Sequence, residues 1–307
     1  MVDKFTKFAC NKNITIILTI LLFLMPTFML PYDLTSFKTI AFARATIFIS
    51  CGFILLLMLI IRKEEIKFDM VDKILLIFYI IGWISTFFAI NPLRAIIGDI
   101  SRYDGMIIIT FYLIVYYCAK NFCIYYKDLF KAVIYMAVLL CFIVILQSYE
   151  LLPIGNHIVI PYVPLCPAAT LMNSNIFGSY ITLFTPIIIC IYLFKNNKLF
   201  LLFSVIAFIA TVVCFVRSAW IALLISLFTI FIYLIFKKDK QLWKRAGILF
   251  VCFILALGFV YFTKSGSLSY RVNTLVTESK SIANAEINDD MGSRKNIIME
   301  NGIKRYN

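Results

Sequence analysis

A chain of 307 residues that is 63% hydrophobic and 15% charged, with a mean hydropathy of +0.95, is far too apolar to be a water-soluble domain. Its formal charge of +13 comes from 29 basic residues against 16 acidic ones. The basic residues punctuate apolar runs instead of sharing one polar face, which argues against a nucleic-acid-binding protein and makes them markers of membrane orientation.

The apolar runs cover 14–30, 40–61, 74–90, 106–126, 132–148, 175–194, 199–216, 219–236 and 246–262. Most approach the ~20 residues that a helix needs to cross about 30 Å of hydrocarbon. An isolated strand cannot satisfy its backbone in lipid, so every run is expected to be a helix. The expected fold is therefore all-α, a polytopic transmembrane helix bundle of about nine spans over 1–263, followed by an extracytoplasmic polar segment over 264–307. The first run follows Lys4, Lys7 and Lys12 as a signal peptide would, but it is too long and no A-x-A site follows it, so it reads as an uncleaved span. Lys120 closes the fourth run beside Tyr116, Tyr117, Tyr125 and Tyr126, as in a span whose lysine snorkels to an interfacial aromatic belt. Cys51, Cys118, Cys141, Cys190, Cys214 and Cys252 lie inside apolar runs, where a free thiol behaves as a small hydrophobe. Cys166 alone falls clearly on the outer side, which leaves no external disulfide pair.

Orientation follows from the gaps. With a cytoplasmic N-terminus the inner side holds seventeen basic residues, from Lys4 to Arg245, while the short outer loops hold Lys38, Arg94, Arg102 and Arg217. With that orientation everything after Phe262 is expected to lie outside. Two outer stretches are too irregular to be mere connectors: 91–105, NPLRAIIGDISRYDG, and the proline-rich 150–174. Their apolar residues, among them Ile96, Ile97, Ile158, Val159 and Ile160, fit segments that dip into the interface.

Cations on the outer side need a reason. Arg44 lies six residues after Lys38, about 9 Å further along the second helix, where an unpaired arginine costs on the order of 2–3 kcal/mol. It is expected to face the bundle interior with an anionic partner. The nearby carboxylates are Asp33, Asp99 and Asp104, fewer than the five outer cations Lys38, Arg44, Arg94, Arg102 and Arg217. Such a surplus fits a phosphate or pyrophosphate, which the planar arginine fork grips with two hydrogen bonds. Arg217 sits in the very short turn CFVRSAW, where a helix starting at Ser218 would add free backbone N–H groups beside the guanidinium.

Several segments carry a resemblance: YDLTSFK before the second span, FAINPLRAIIGDISRYDGMI after the third, ATLMNSNIFGSYITLFTPI at the sixth, CFVRSAWIALL at the seventh turn, and MGSRKNIIMENGIK in the tail. In their order and loop placement they resemble the O-antigen ligase and polymerase superfamily of bacterial membrane glycosyltransferases. The resemblance implies an undecaprenyl-pyrophosphate-linked oligosaccharide donor presented from the outer leaflet, a glycan or lipid acceptor, membrane lipids as surroundings, and transfer without cofactor, metal or nucleotide sugar. It implies that Arg102 and Arg217 hold the donor pyrophosphate, with Arg94, Arg44 and Lys38 as further outward cations, and it matches Asn175 and Arg294 to motif positions. For Asn175 the residue-level alternative is a helix N-terminal cap, and for Arg294 a solvated side chain. Family members continue through a large external loop that bears a histidine implicated in catalysis. The sequence stops at Asn307, and its one histidine, His157, does not match that motif. The resemblance therefore implies a C-terminally truncated member that binds donor without catalysing transfer, and it carries over no catalytic residue.

No Cys/His cluster has metal-ligand spacing, and neither a Gly-rich phosphate loop nor a serine nucleophile elbow occurs. Asp289 and Asp290 lie in the polar tail, where solvated charge is the simpler reading. The competing functional class is a transporter or flippase of a lipid-linked glycan or another anionic substrate. A transporter ordinarily places ionisable groups or broken helices near mid-membrane, whereas here the outlying charges map to one face.

Overall fold

The computed structural model describes residues 10–28, 37–62, 68–99, 102–124, 126–151, 167–171 and 173–283. Helix accounts for 87% of the structure, and among the described residues there are no strands. The helices are α1 (Asn11–Thr27), α2 (Phe37–Arg62), α3 (Met70–Phe87), α4 (Pro92–Ile97), α5 (Met106–Phe122), α6 (Tyr126–Ser148), α7 (Ser174–Lys195), α8 (Lys198–Val213), α9 (Arg217–Lys237) and α10 (Lys240–Ala283), with a 3-10 turn at Ala169–Leu171 before α7. Each of the nine apolar runs overlaps one of these helices. Six are long and apolar enough to cross a membrane: Ala41–Arg62, Met70–Phe87, Tyr126–Ser148, Ser174–Lys195, Arg217–Lys237 and Lys240–Gly266. The other three apolar helices, α1, α5 and α8, are 16 or 17 residues long, so six of the nine expected spans meet this length among the described residues.

The chain forms two compact units, 1–184 and 185–307, and the boundary falls inside α7 between Phe184 and Thr185. In the first unit α1, α2 and α5 pack on one another, burying Ile14 and Leu18, Leu55 and Met58, and Cys118 and Phe122 in one cluster. A second cluster joins Leu21, Ala45, Phe48 and Ile108. Gly52 permits the close approach of α2 to α5, since a Cβ there would stand 2.5 Å from a ring carbon of Phe111. Helix α6 packs on α1 and on the 3-10 turn.

Helix α3 is fastened to α5 by charge. Asp69 and Asp72 form a capping box, the Asp72 N–H donating to Asp69 Oδ1 at 2.9 Å and the Asp69 N–H to Asp72 Oδ2 at 3.0 Å. Lys120, in the last turn of α5, bridges both carboxylates at 2.6 and 2.7 Å, and the Tyr116 hydroxyl donates to Asp72 Oδ1 at 3.1 Å. Lys120 is thus ion-paired as well as lying beside one of its expected tyrosines, with Nζ 5.8 Å from the centre of the Tyr116 ring. The pairing also suits both helix dipoles, with acid at the start of α3 and base at the end of α5.

In the second unit α10 packs on α8 and α9. Phe208 and Phe253 stack with ring centroids 4.2 Å apart, and Ile189, Leu193, Leu234, Leu242 and Leu249 are buried around them. Arg245 Nη1 donates to the carbonyls of Leu193 at 2.6 Å and Phe194 at 3.3 Å, closing the end of α7. At Lys264 the backbone of α10 leaves helical geometry (φ −132°, ψ 31°), close to where the composition turns polar, and the helix then resumes to Ala283.

The outward faces are what a lipid solvent asks for. Phe236 and Phe262 are 81% and 88% exposed, and the hydroxyls of Thr46, Ser226, Thr229 and Thr263 donate to the carbonyl four residues earlier instead of remaining open.

Candidate anion-binding pocket

A pocket of about 580 Å³ lies in the first unit among α1, α2, α5, α6, the start of α7 and the loop before α5. Its walls are mostly apolar, with Leu21, Met25, Phe48, Ile108, Leu171 and Phe184 among them. The polar groups lining it come from Arg44, Arg102, Tyr103, Asp104, Tyr112 and Tyr180. The structure therefore brings together two of the outer cations expected from the sequence, on an amphipathic surface.

The loop that delivers Arg102 is built by local chemistry. Asn91 caps α4, its Oδ1 accepting from the Arg94 N–H at 3.2 Å, and Pro92 supplies the first helical residue. The chain then turns at Gly98, whose φ of 93° is open to glycine and strained for other residues. The Asp99 carbonyl accepts from the N–H groups of Arg102 at 2.9 Å and Tyr103 at 2.7 Å. Tyr103 itself takes a φ of 55°, a left-handed conformation that costs an L-residue about 1–2 kcal/mol. Gly98 and Gly105 meet back to back: a Cβ on Gly98 would stand 2.4 Å from the Asp104 nitrogen, and one on Gly105 2.3 Å from the Ile96 oxygen. The loop cannot slide along α4 without opening this contact, so Arg102, Tyr103 and Asp104 are held at the pocket. The Tyr103 ring also meets Phe42 of α2, edge to face, at 5.7 Å.

Arg44 faces the interior as expected, but its partners are not carboxylates. Its Nη2 donates to the Phe28 carbonyl at 3.1 Å and to the Thr170 carbonyl at 2.5 Å, and its Nε lies 3.4 Å from the same Phe28 oxygen. Phe28 ends α1, and the Thr170 hydroxyl donates to the Pro26 carbonyl one turn-end earlier. Carbonyls freed at the C-terminal end of a helix carry partial negative charge, so the end of α1 takes the place of the anticipated aspartate. The charge of Arg44 stays uncompensated by any carboxylate among the described residues.

Arg94 is exposed and pairs with Asp99 at 2.6 Å, which accounts for one of the three carboxylates and removes Arg94 from the pocket lining. Arg217 belongs to the second unit and is the first residue of α9, one position earlier than expected, with Val216 as a cap that offers no side-chain acceptor. The turn before it is buried from Cys214 to Val216, and it is tied to α8 by the Trp220 indole N–H donating to the Thr211 carbonyl at 2.9 Å. Asn175 is not the cap of α7: Asn173 is, with its Oδ1 accepting from the Asn175 N–H at 2.8 Å, while Asn175 is exposed in the first turn. The side chain of Lys38, together with Asp33, His157, Cys166, Asp289, Asp290 and Arg294, lies outside the described residues.

Sequence reasoning did not select Tyr112, Tyr180 or Thr170. Tyr112 and Tyr180 sit in apolar runs rich in aromatics, and their pocket-facing role depends on how α5 and α7 pack. Thr170 gave a signal of a kind, a hydroxyl in the proline-rich stretch just before a helix. No family model, no curated protein and no solved structure matches the chain.

Proposed function

We propose that the chain is a bacterial inner-membrane protein of the O-antigen ligase and polymerase type, with its N-terminus cytoplasmic, and that it takes an undecaprenyl-pyrophosphate-linked glycan into this pocket during cell-surface polysaccharide assembly. The observation that carries the reading is the presence of Arg44 and Arg102 in one apolar-walled pocket, against the single lining carboxylate of Asp104. A phosphate with a hydrocarbon tail matches both surfaces: the guanidinium groups take the anion and the apolar walls take the first isoprene units. The charge layout of α5 supports the side of the membrane. Its C-terminal Lys120 is neutralised by Asp69 and Asp72 among the inner basic residues, while Arg102 precedes its N-terminus on the outer side. Arg44 and Arg102 neutralise the pyrophosphate that a transfer would release; no residue is assigned to take the proton of an acceptor hydroxyl, so the proposed activity of this chain is donor binding without transfer.

Retention of an undecaprenyl pyrophosphate oligosaccharide by the purified chain tests this. Arg102→Ala should weaken retention about 10- to 100-fold, the loss of a hydrogen bond to a charged group, and added salt should weaken it further. Retention that ignores both the substitution and the salt removes the reading.

A further inference from the structure

We infer that Gln147 is the positioning residue for Arg44, acting through the 167–171 turn. Gln147 lies in the last turn of α6 and is 1% exposed. Its Oε1 accepts from the N–H of Ala169 at 2.8 Å and of Ala168 at 3.3 Å, and its Nε2 donates to the Ala169 carbonyl at 3.3 Å. Ala169 takes a φ of 50°, a conformation an alanine does not choose unaided. The buried amide grips both sides of this residue and so over-determines it.

The next peptide carbonyl, that of Thr170, is the one that receives Arg44 Nη2. A rigid path thus runs from Gln147 through Ala169 and Thr170 to the guanidinium at the pocket. Its far end is also fixed, because α6 closes with the Leu151 N–H donating to the Leu146 carbonyl at 2.9 Å and the Glu150 N–H to the Gln147 carbonyl at 3.0 Å, the paired bonds of a Schellman end. If Gln147 only filled polar valences in the core, its removal would harm the fold without passing through Arg44.

The consequence for binding rests on the pocket's role as an anion site, so two readouts on the full chain are needed. Hydrogen exchange works without ligand. Gln147→Met should speed exchange in the peptide carrying Ala168 and Ala169 roughly tenfold, and unchanged exchange overturns the inference whatever the pocket binds. Retention of farnesyl pyrophosphate reads the second link. Gln147→Met and Arg44→Gln should each weaken it about tenfold, with the double variant no weaker than Arg44→Gln alone. Losses that multiply to about a hundredfold in the double variant would show Gln147 acting independently of Arg44, and the inference would fall. Gln147→Glu keeps an acceptor oxygen but not the amide donor, should lie between Met and wild type, and provides the same comparison if the Met variant does not fold. A wild-type chain that retains no farnesyl pyrophosphate sinks the proposed function, and the exchange result then decides the hold of Gln147 on the turn by itself.

Discussion

The guanidinium of Arg44, on α2, donates to the carbonyl of Phe28, the residue that ends α1, at 3.1 Å. Arg245 does the same for the end of α7 in the other unit, through the Leu193 carbonyl at 2.6 Å. An arginine among apolar residues would be expensive if isolated, and the last carbonyls of a helix are expensive if left open where water is scarce. Each of these pairings offsets one cost with the other. Arg44 differs from Arg245 in also lining a pocket, so a residue satisfied structurally still carries charge that a ligand can use.

The planar fork of Arg44 holds carbonyls from two different elements, which a lysine ammonium cannot reproduce from a single flexible stem. Arg44→Lys should therefore destabilise nearly as much as Arg44→Ala, by about 1.5–3 kcal/mol for lost bonds to a charged donor. Thermal unfolding in detergent gives the comparison. A lysine variant as stable as wild type would mean that positive charge alone, and not the fork, is what the end of α1 requires.

At the other end of α5, Asp72 is 5% exposed and depends on Lys120. Lys120→Met strands that carboxylate and should lower the unfolding midpoint sharply. Adding Asp72→Asn should recover most of the loss, because the neutral amide can remain near Tyr116 without an unpaired charge. Asp69→Asn should cost less than Lys120→Met, since Asp69 is half exposed and its amide replacement still caps a helix. Failure of the double variant to recover would indicate that the pair fixes register between α3 and α5 and not merely charge balance.

How much of this was legible in the sequence depended on range. Apolar runs of helical length gave the all-helical class directly, because lipid leaves a spanning segment few other ways to satisfy its backbone. Arg44 and Arg102 were recognisable as anomalies on charge distribution alone. Their partners were not. Phe28 and Thr170 contribute carbonyls, which every residue has, so composition carries no trace of them. The ion pairs of Lys120 are hidden for a related reason: the tyrosines stand next to it in sequence, and Tyr116 does lie beside its ammonium, while the aspartates that bind it lie 48 and 51 positions upstream. Asp99 is legible as a nearby carboxylate, but its pairing with Arg94, five residues away across the turn at Gly98, is not.

On the proposed orientation, the polar segment beyond Phe262 lies outside the cytoplasm. A cysteine at Ser281, in a chain whose native cysteines are replaced, should react with an impermeant thiol reagent in intact cells, whereas one at Asn196, between α7 and α8, should react only after lysis. The opposite pattern would put Arg102 on the cytoplasmic side and make a donor presented from the outer leaflet untenable.

The close contact between Gly98 and Gly105 gives the most direct control over Arg102. Gly98→Ala combines an unfavourable φ of 93° with a Cβ 2.4 Å from the Asp104 nitrogen, and Gly105→Ala places a Cβ 2.3 Å from the Ile96 oxygen. In both cases the clash is with backbone, which cannot swing aside as a flexible side-chain tip would. Neither position can therefore be relieved without moving the Arg102–Asp104 segment away from α4. Each alanine should cost about 1–3 kcal/mol of stability. The effect on the pocket should exceed that of an equally destabilising change elsewhere in the unit. Gly52→Ala supplies the control: the atoms nearest its Cβ belong to the ring of Phe111, between α2 and α5, a residue that does not itself line the pocket and is remote in sequence from the Arg102 loop. Retention of a pyrophosphate lipid should fall with Gly98→Ala and Gly105→Ala but hold with Gly52→Ala at a temperature where all three are folded. If all three variants lose retention in proportion to their stability, the loop is only a connector, and the convergence of Arg102 with Arg44 does not depend on it.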